Sequence, residues 1–311
     1  MRRASAVGTL LLGGLMLAAG TASAQAWLPP KGEAALSLGW ARTWADHHIG
    51  YDGVGGNPGD MTWNNAVSDL SYGITDRLAV RLNIPFVMSQ YVGPKPHPAR
   101  PGKPALDTGS WNSAFTDFRA EVRFKATTGA LAVTPVVAIV FPSHWYESMG
   151  HSAFGNNAVE GQFGVSVGRL LDPVLPNAYL QARYLYAVPE EWAGIRPTRS
   201  SAAFDLGYFV TGSLTVSVLG AYTKTHAGWR APVDFPPATN PNFYNHDRLT
   251  KHEYFRFGGG ASYALTGSIE VGLNYYATLW ARSDINMSGI ALSVTYGFSP
   301  AQVIKRNKGV Q

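Results

Sequence analysis

The 311-residue chain contains no cysteine, only 14% charged residues and a formal net charge of +5. The lack of cysteine excludes a disulfide framework, thiolate chemistry and cysteine-ligated metal. A charge so near neutral, with no clustered basic stretch, argues for no nucleic-acid partner.

The first residues read as an export signal. Arg2 and Arg3 precede an apolar run from Val7 to Ala19, and Thr21-Ala22-Ser23-Ala24 supplies the small residues ahead of a cut after Ala24. The run is short for a bilayer span. Domains are therefore expected as a signal peptide over 1–24, a barrel over 25–298 and a short periplasmic tail over 299–311. Loss of Arg2 and Arg3 lowers the formal charge from +5 to +3. Beyond residue 24 no uninterrupted apolar run approaches the ~18 residues of a spanning helix, so any membrane crossing falls to strands.

In chain order, a proline-stiffened QAWLPPKG leads to a first strand over Glu33 to Trp44, followed by the polar loop DHHIGYDGVGGNPGD. The second, Trp63 to Ile74, sets Leu70, Tyr72 and Ile74 against Asp69, Ser71 and Gly73. A tight Thr75-Asp76-Arg77 turn returns it as a third strand, with Leu78, Val80, Leu82, Ile84 and Phe86 against Ala79, Arg81 and Asn83. Pro85 removes a ladder donor in its middle, which predicts a local bulge. After a long loop, Ala114 to Lys125 alternates most sharply, with Phe118, Ala120, Val122 and Phe124 opposite Asp117, Arg119, Glu121, Arg123 and Lys125.

The fifth strand, Ala130 to Phe141, is nearly all apolar; the sixth, Ala158 to Leu171, sets Phe163, Val165 and Val167 against Glu160, Gln162 and Ser166. A seventh over Asn177 to Val188 turns Gln181 and Arg183 away from Leu180 and Tyr184, and an eighth opposes Asp205 to Phe204 and Leu206. The ninth starts at Leu214. The tenth, Glu253 to Ala264, opposes Arg256 to Phe255 and Phe257, and the eleventh opposes Glu270 to Ile269 and Val271. The last, Gly289 to Phe298, carries Ile290, Leu292, Val294, Tyr296 and Phe298 on one face and only small or polar residues on the other.

Tight turns alternate strictly with longer loops along these strands, an all-β pattern that predicts a twelve-stranded antiparallel transmembrane β-barrel of the outer membrane. In hydrocarbon the sheet must close and its charges must point inward. Arg81, Asp117, Arg119, Glu121, Arg123, Glu160, Arg183, Asp205, Arg256 and Glu270 are thus the expected lumen lining. Tyr72, Tyr184, Tyr208, Tyr263, Tyr296 and Phe298 are the expected interfacial girdle. Outer-membrane lipids are the implied surroundings, and the aromatic close of the last strand resembles the signal read by the barrel-assembly machinery.

Two stretches carry a more specific likeness, Ser68 to Tyr91 (SDLSYGITDRLAVRLNIPFVMSQY) and Ala114 to Ala126 (AFTDFRAEVRFKA). With the opening WLPPKGEAALSLGW, they resemble the exported barrel family named for the meta-pathway of phenol degradation. That resemblance implies an outer-membrane protein taking up aromatic or other hydrophobic compounds, without catalytic residues.

Chemistry beyond transport finds little support in the residues. No histidine falls at a strand centre beside a nucleophile, so no catalytic residue, cofactor or metal site is expected. The eight histidines fall in loops or at strand mouths, where solvation is the ordinary state; a rim cluster of His47, His48, His226, His246 and His252 is the metal alternative. Trp192, Trp229, Phe235, Phe243 and Tyr244 would form an aromatic vestibule or simply pack the loops. A non-transporting structural or surface-interaction barrel is the competing role. Mixed signs at spacing two in Asp117, Arg119, Glu121 and Arg123 suit either a salt-bridged plug or a solute path.

Overall fold

The computed structural model describes residues 26–301; the expected signal peptide and residues 302–311 of the expected tail lie outside that range. Twelve strands form one antiparallel sheet that closes on itself. They are β1 (Ala34–Ile49), β2 (Asp60–Thr75), β3 (Leu78–Val92), β4 (Asp117–Phe124), β5 (Leu131–Pro142) and β6 (Glu160–Leu170), followed by β7 (Ala178–Pro189), β8 (Arg199–Phe209), β9 (Leu214–Thr225), β10 (Glu253–Ala264), β11 (Ile269–Arg282) and β12 (Asp284–Phe298). A short piece, Asn112–Phe115, extends the line of β4 beyond Thr116 and also pairs with β3. Each strand pairs with its sequence neighbours, and β12 returns to β1 with Ala34 opposite Phe298 and Leu36 opposite Tyr296. Closure leaves no edge, which is what a sheet in hydrocarbon requires.

The exposure pattern is inverted relative to a water-soluble protein. Val137 and Leu279 are each 63% exposed on the outer face, whereas Glu121 is 2% and Arg123 1% exposed inside. The terminal strand shows the same division: Leu292, Val294 and Tyr296 are exposed, while Ala291 and Ser293 are buried. Tyr72, Tyr208, Tyr263 and Tyr296 stand exposed near the short-turn ends of their strands. Tyr184 instead lies in mid-strand on β7, where its hydroxyl hydrogen-bonds with Ser200 at 2.9 Å.

Bulges reset the alternation. The expected irregularity at Pro85 is present, and the partner strand accommodates it: Asn83 pairs with Arg119 and Phe86 with Phe115, so Ile84 and Pro85 face Thr116, Asp117 and Phe118. The extra residue turns both Thr116 and Asp117 from the outer face, and Thr116 N–H finds the Pro85 carbonyl at 3.2 Å. At a second bulge, between Ala45 and His47, β1 runs on to Ile49 rather than ending at Trp44. There the extra residue is Asp46, and His48 rather than His47 enters the lumen.

Candidate functional site

The middle of the lumen is crossed by an ionic chord. Glu121 on β4 is bonded by the guanidinium groups of Arg119 and, from β7, Arg183. Arg123 Nε lies 3.5 Å from Glu121 Oε1, and Arg81, paired with Glu121 in the ladder, holds Asp69 at 2.8 Å. Four guanidinium groups therefore face two carboxylates, leaving the constriction positive. β4 and β7 are separated by two strands, so the Arg183 contact spans the interior rather than running along the wall.

From this chord a polar chain climbs toward the long loops. Arg119 Nε donates to Gln162 Oε1 at 2.9 Å, Gln162 Nε2 to Glu160 Oε1 at 2.6 Å, and Arg199 Nη2 to Glu160 Oε2 at 2.5 Å. Beside it lies a cavity of about 160 Å³ lined by Asn83, Pro85, Thr116, Asp117, Arg119, Glu160, Gln162, Arg199 and Tyr254, with Gly155 and Asn156 of loop 143–159 reaching its wall. Asp117 is tied to that loop, accepting from the Tyr146 hydroxyl at 2.6 Å. Burial and the adjacent Asp117 charge push the Tyr146 hydroxyl well above the usual phenol range, which keeps its proton available for donation.

At the short-turn end a strap crosses the lumen. The Ala26 N–H donates to Gln181 Oε1 at 3.1 Å and its carbonyl accepts from Thr134 Oγ1 at 2.7 Å. Trp27 then meets Tyr179 edge-on at 6.1 Å, and Gly32 reaches the Gly73 carbonyl on the far wall at 2.8 Å. Glycine is needed where the strap lies flat against the wall: a β-carbon on Gly168 would sit 2.6 Å from Ala26 Cβ, and one on Gly73 2.1 Å from the Pro30 carbonyl oxygen. Trp27, Tyr179, Gln181, Phe209 and Glu270 line a cavity of about 300 Å³ at this end.

The long-loop end is filled. Met61, Trp63, Tyr91, Tyr276, Ile285 and Met287 project inward from the walls and pack with Leu106, Tyr146, Ala153 and Phe154 from the loops as one apolar cluster. Trp63 Nε1–H donates to the Ala153 carbonyl at 3.2 Å, and Ser89 to that of Ser152. Loop 226–252 adds a short helix, His246–Leu249, whose Asp247 accepts the Gly150 N–H at 2.9 Å. Arg100 joins the loops by pairing with Glu147 at 3.1 Å and donating to the Tyr244 carbonyl at 2.6 Å.

Inside this plug four imidazoles stand ring to ring. His48 lies 4.8 Å from His151, His151 4.5 Å from His97, and His97 5.3 Å from His246, with Tyr91 stacked on His151 at 4.3 Å. Burial, reinforced by the His97 and His48 rings, holds His151 well below the usual histidine value and therefore neutral. Burial alone would raise the Asp107 carboxyl, but its hydrogen bond and charge interaction with His97 outweigh this and hold it below the usual range. For His246, too, burial works against the charged form; Asp247 reverses the balance and raises it.

The charged residues expected to line the lumen do not form one site. Arg81, Arg119, Glu121, Arg123 and Arg183 meet in the chord. Asp117 and Glu160 lie above it; Arg256 reaches Asp284 at 3.5 Å near the loops, and Asp205, bonded by Tyr179 at 3.1 Å, lies near the short turns with Glu270. The expectation of solvated loop histidines fails for His151 and His246, both fully buried, because loops 143–159 and 226–252 fold into the barrel. The rim cluster does not assemble either. His47 pairs with the adjacent Asp46 at 2.7 Å, and His226 meets Ser200 Oγ at 2.8 Å outside the plug. Among the described residues no carboxylate hydrogen-bonds the other His226 nitrogen, so this Ser-His contact lacks the orienting group that nucleophilic catalysis uses.

The loop aromatics pack rather than open a vestibule: Phe235 and Phe243 lie 4.6 and 4.7 Å from His246, and Trp192 lies under Arg248. Sequence reasoning did not single out Met61, Tyr91 or Asp107. For the two strand residues the signal was present, since Met61 and Tyr91 share the inward parity of Trp63 and Ser89.

No family model matches the chain, and no curated protein matches it in sequence. Among solved structures, an outer-membrane channel from Pseudomonas putida F1 aligns over 90% of this chain and 100% of its own, with a TM-score of 0.69 at 12% identity. The NanC porin aligns over 84% of this chain and 98% of its own at a TM-score of 0.49 and 10% identity. The β-domain of the Bordetella autotransporter BrkA covers 84% and 99%, at 0.48 and 12%. The likeness is one of architecture: this chain has the closed antiparallel barrel fold of outer-membrane proteins.

Proposed function

We propose that this protein is a narrow outer-membrane channel for passive uptake of small solutes, and that it favours aromatic or other hydrophobic molecules carrying a negative charge. The observation that carries the reading is the cavity of about 160 Å³ above the arginine chord. Its volume is of the order that takes up one benzene-sized molecule, since apolar cavities of ~150 Å³ bind benzene. Tyr254 and Pro85 offer flat apolar walls, while Arg119 and Arg199, already paired with Glu121 and Glu160, edge the cavity with guanidinium groups that a solute carboxylate would have to share. Passage is diffusion, with selectivity from charge and width and without covalent chemistry. The exposed apolar belt and the aromatic end of β12 support insertion in the outer membrane through the barrel-assembly machinery. The likeness to the phenol meta-pathway family agrees with aromatic solutes.

A second reading has its own observation. The long-loop end is packed by loops 93–111, 143–159 and 226–252, as suits a structural barrel whose lumen stays shut. Proteoliposomes separate the two. Relative to protein-free liposomes, those loaded with the purified protein should gain more permeability to labelled benzoate than to labelled benzyltrimethylammonium, and Arg119→Ala should weaken that preference. No protein-dependent permeability to either ion would establish the structural barrel and end the uptake reading.

A further inference from the structure

We propose that His97, Asp107 and His151 form a site for a divalent transition cation of the zinc type, with His48 as its fourth ligand. The ligand atoms of the first three lie within 4.8 Å of one another. His151 Nδ1 and His48 Nε2 are 3.3 Å apart, about the separation, roughly 3.3 Å, that two ligands keep on a tetrahedral zinc with ~2.0 Å bonds. His97 Nδ1 and Asp107 Oδ2 stand at 2.9 Å, so a cation between them needs an opening of only a few tenths of an ångström.

The supporting contacts already point the ligands. His151 Nε2 faces the Lys95 carbonyl at 2.9 Å; a carbonyl can only accept, so the proton resides on Nε2 and the Nδ1 lone pair faces His48. Asp107 is aimed by Ser152, whose N–H and hydroxyl reach Oδ1 at 3.0 and 2.9 Å. Such outer contacts to a carbonyl and to a ligating carboxylate are the kind that fix ligand orientation at metal centres. On binding, His97 moves its Nδ1 proton to Nε2 and His48 its Nε2 proton to Nδ1, and each presents the freed lone pair. The imidazole and carboxylate set suits zinc or cobalt better than calcium or magnesium, which prefer oxygen throughout. The ligands come from β1 and from loops 93–111 and 143–159, so one ion would tie two loops to the wall.

The test is a Co²⁺ titration of the intact, chelator-stripped protein in detergent. About one equivalent should bind with the intense visible absorption of a tetrahedral site, and Zn²⁺ should displace it. His151→Ala and Asp107→Asn should each weaken Co²⁺ binding at least tenfold, whereas His47→Ala and His226→Ala should leave it unchanged. Should His151→Ala lose the folded band in heat-modifiability gels, His97→Gln at the more open edge gives the same reading in a folded barrel. No tetrahedral Co²⁺ spectrum, or one that persists in both His97→Gln and Asp107→Asn, would overturn the site.

Discussion

The two halves of the lumen solve one problem in opposite ways. Toward the long loops, the inward positions carry Trp63, Tyr91, Tyr276 and Ile285, and the interior is packed like the core of a soluble domain. Toward the short turns they carry Arg81, Glu121, Arg123 and Arg183, and the interior is held by charge. Both halves obey the same in-out alternation, so direction along the wall is set by the bilayer and chemistry inside it by what must be covered. The large apolar cluster faces inward where loops arrive to meet it.

That contrast can be broken from the charged half first. Glu121→Ala leaves the clustered guanidinium groups without their shared partner, and loss of one member of a buried pair costs ~3–5 kcal/mol. Urea unfolding in detergent should register that loss across the whole barrel, with benzoate selectivity changed as well. Trp63→Ala removes a comparable side chain from the packed half, where such truncations cost ~3–5 kcal/mol. Its effect should stay local: proteases should cut within residues 143–159 while the barrel keeps its heat-modifiable folded band. General unfolding by this variant would show that plug and wall form one cooperative unit.

Smaller effects sharpen the comparison at its margins. Gly168→Leu should drive the Ala26–Trp27 strap from its seat, raising single-channel conductance with little change in stability. Unchanged conductance would place the limiting width higher, at the chord or plug. Arg230 pairs with Asp234 at 2.9 Å on the loop surface, exposed to solvent. Arg230→Ala should leave both unfolding and conductance where they were, since exposed ion pairs contribute little.

Much of the wall was legible in the sequence because a period of two admits few readings once the charged face of Asp117, Arg119, Glu121 and Arg123 is fixed. The bulge at Pro85 was legible for the same reason: a missing donor must be accommodated somewhere. The plug was not. Residues such as Leu106, Phe154 and Ala153 sit in proline- and glycine-rich loops without periodicity, and their burial depends on where the closed wall leaves space. Nor does the pair His47-His48 reveal which ring turns inward; that depends on one bulged residue at Asp46.

These bulges make the lining a matter of phase. An extra residue advances the alternation by half a period, so everything between it and the strand end exchanges sides while the wall below keeps its order. At Asp46 the slip selects His48, and at Thr116 it lets two successive polar residues leave the outer face. Deleting Asp46 would therefore restore a regular ladder with His48 still inward, whereas straightening the strand with Asp46 retained would turn His47 inward with no side chain replaced. Single-residue insertions and deletions near the rim give such a barrel a route to new interior chemistry without changing its outer belt.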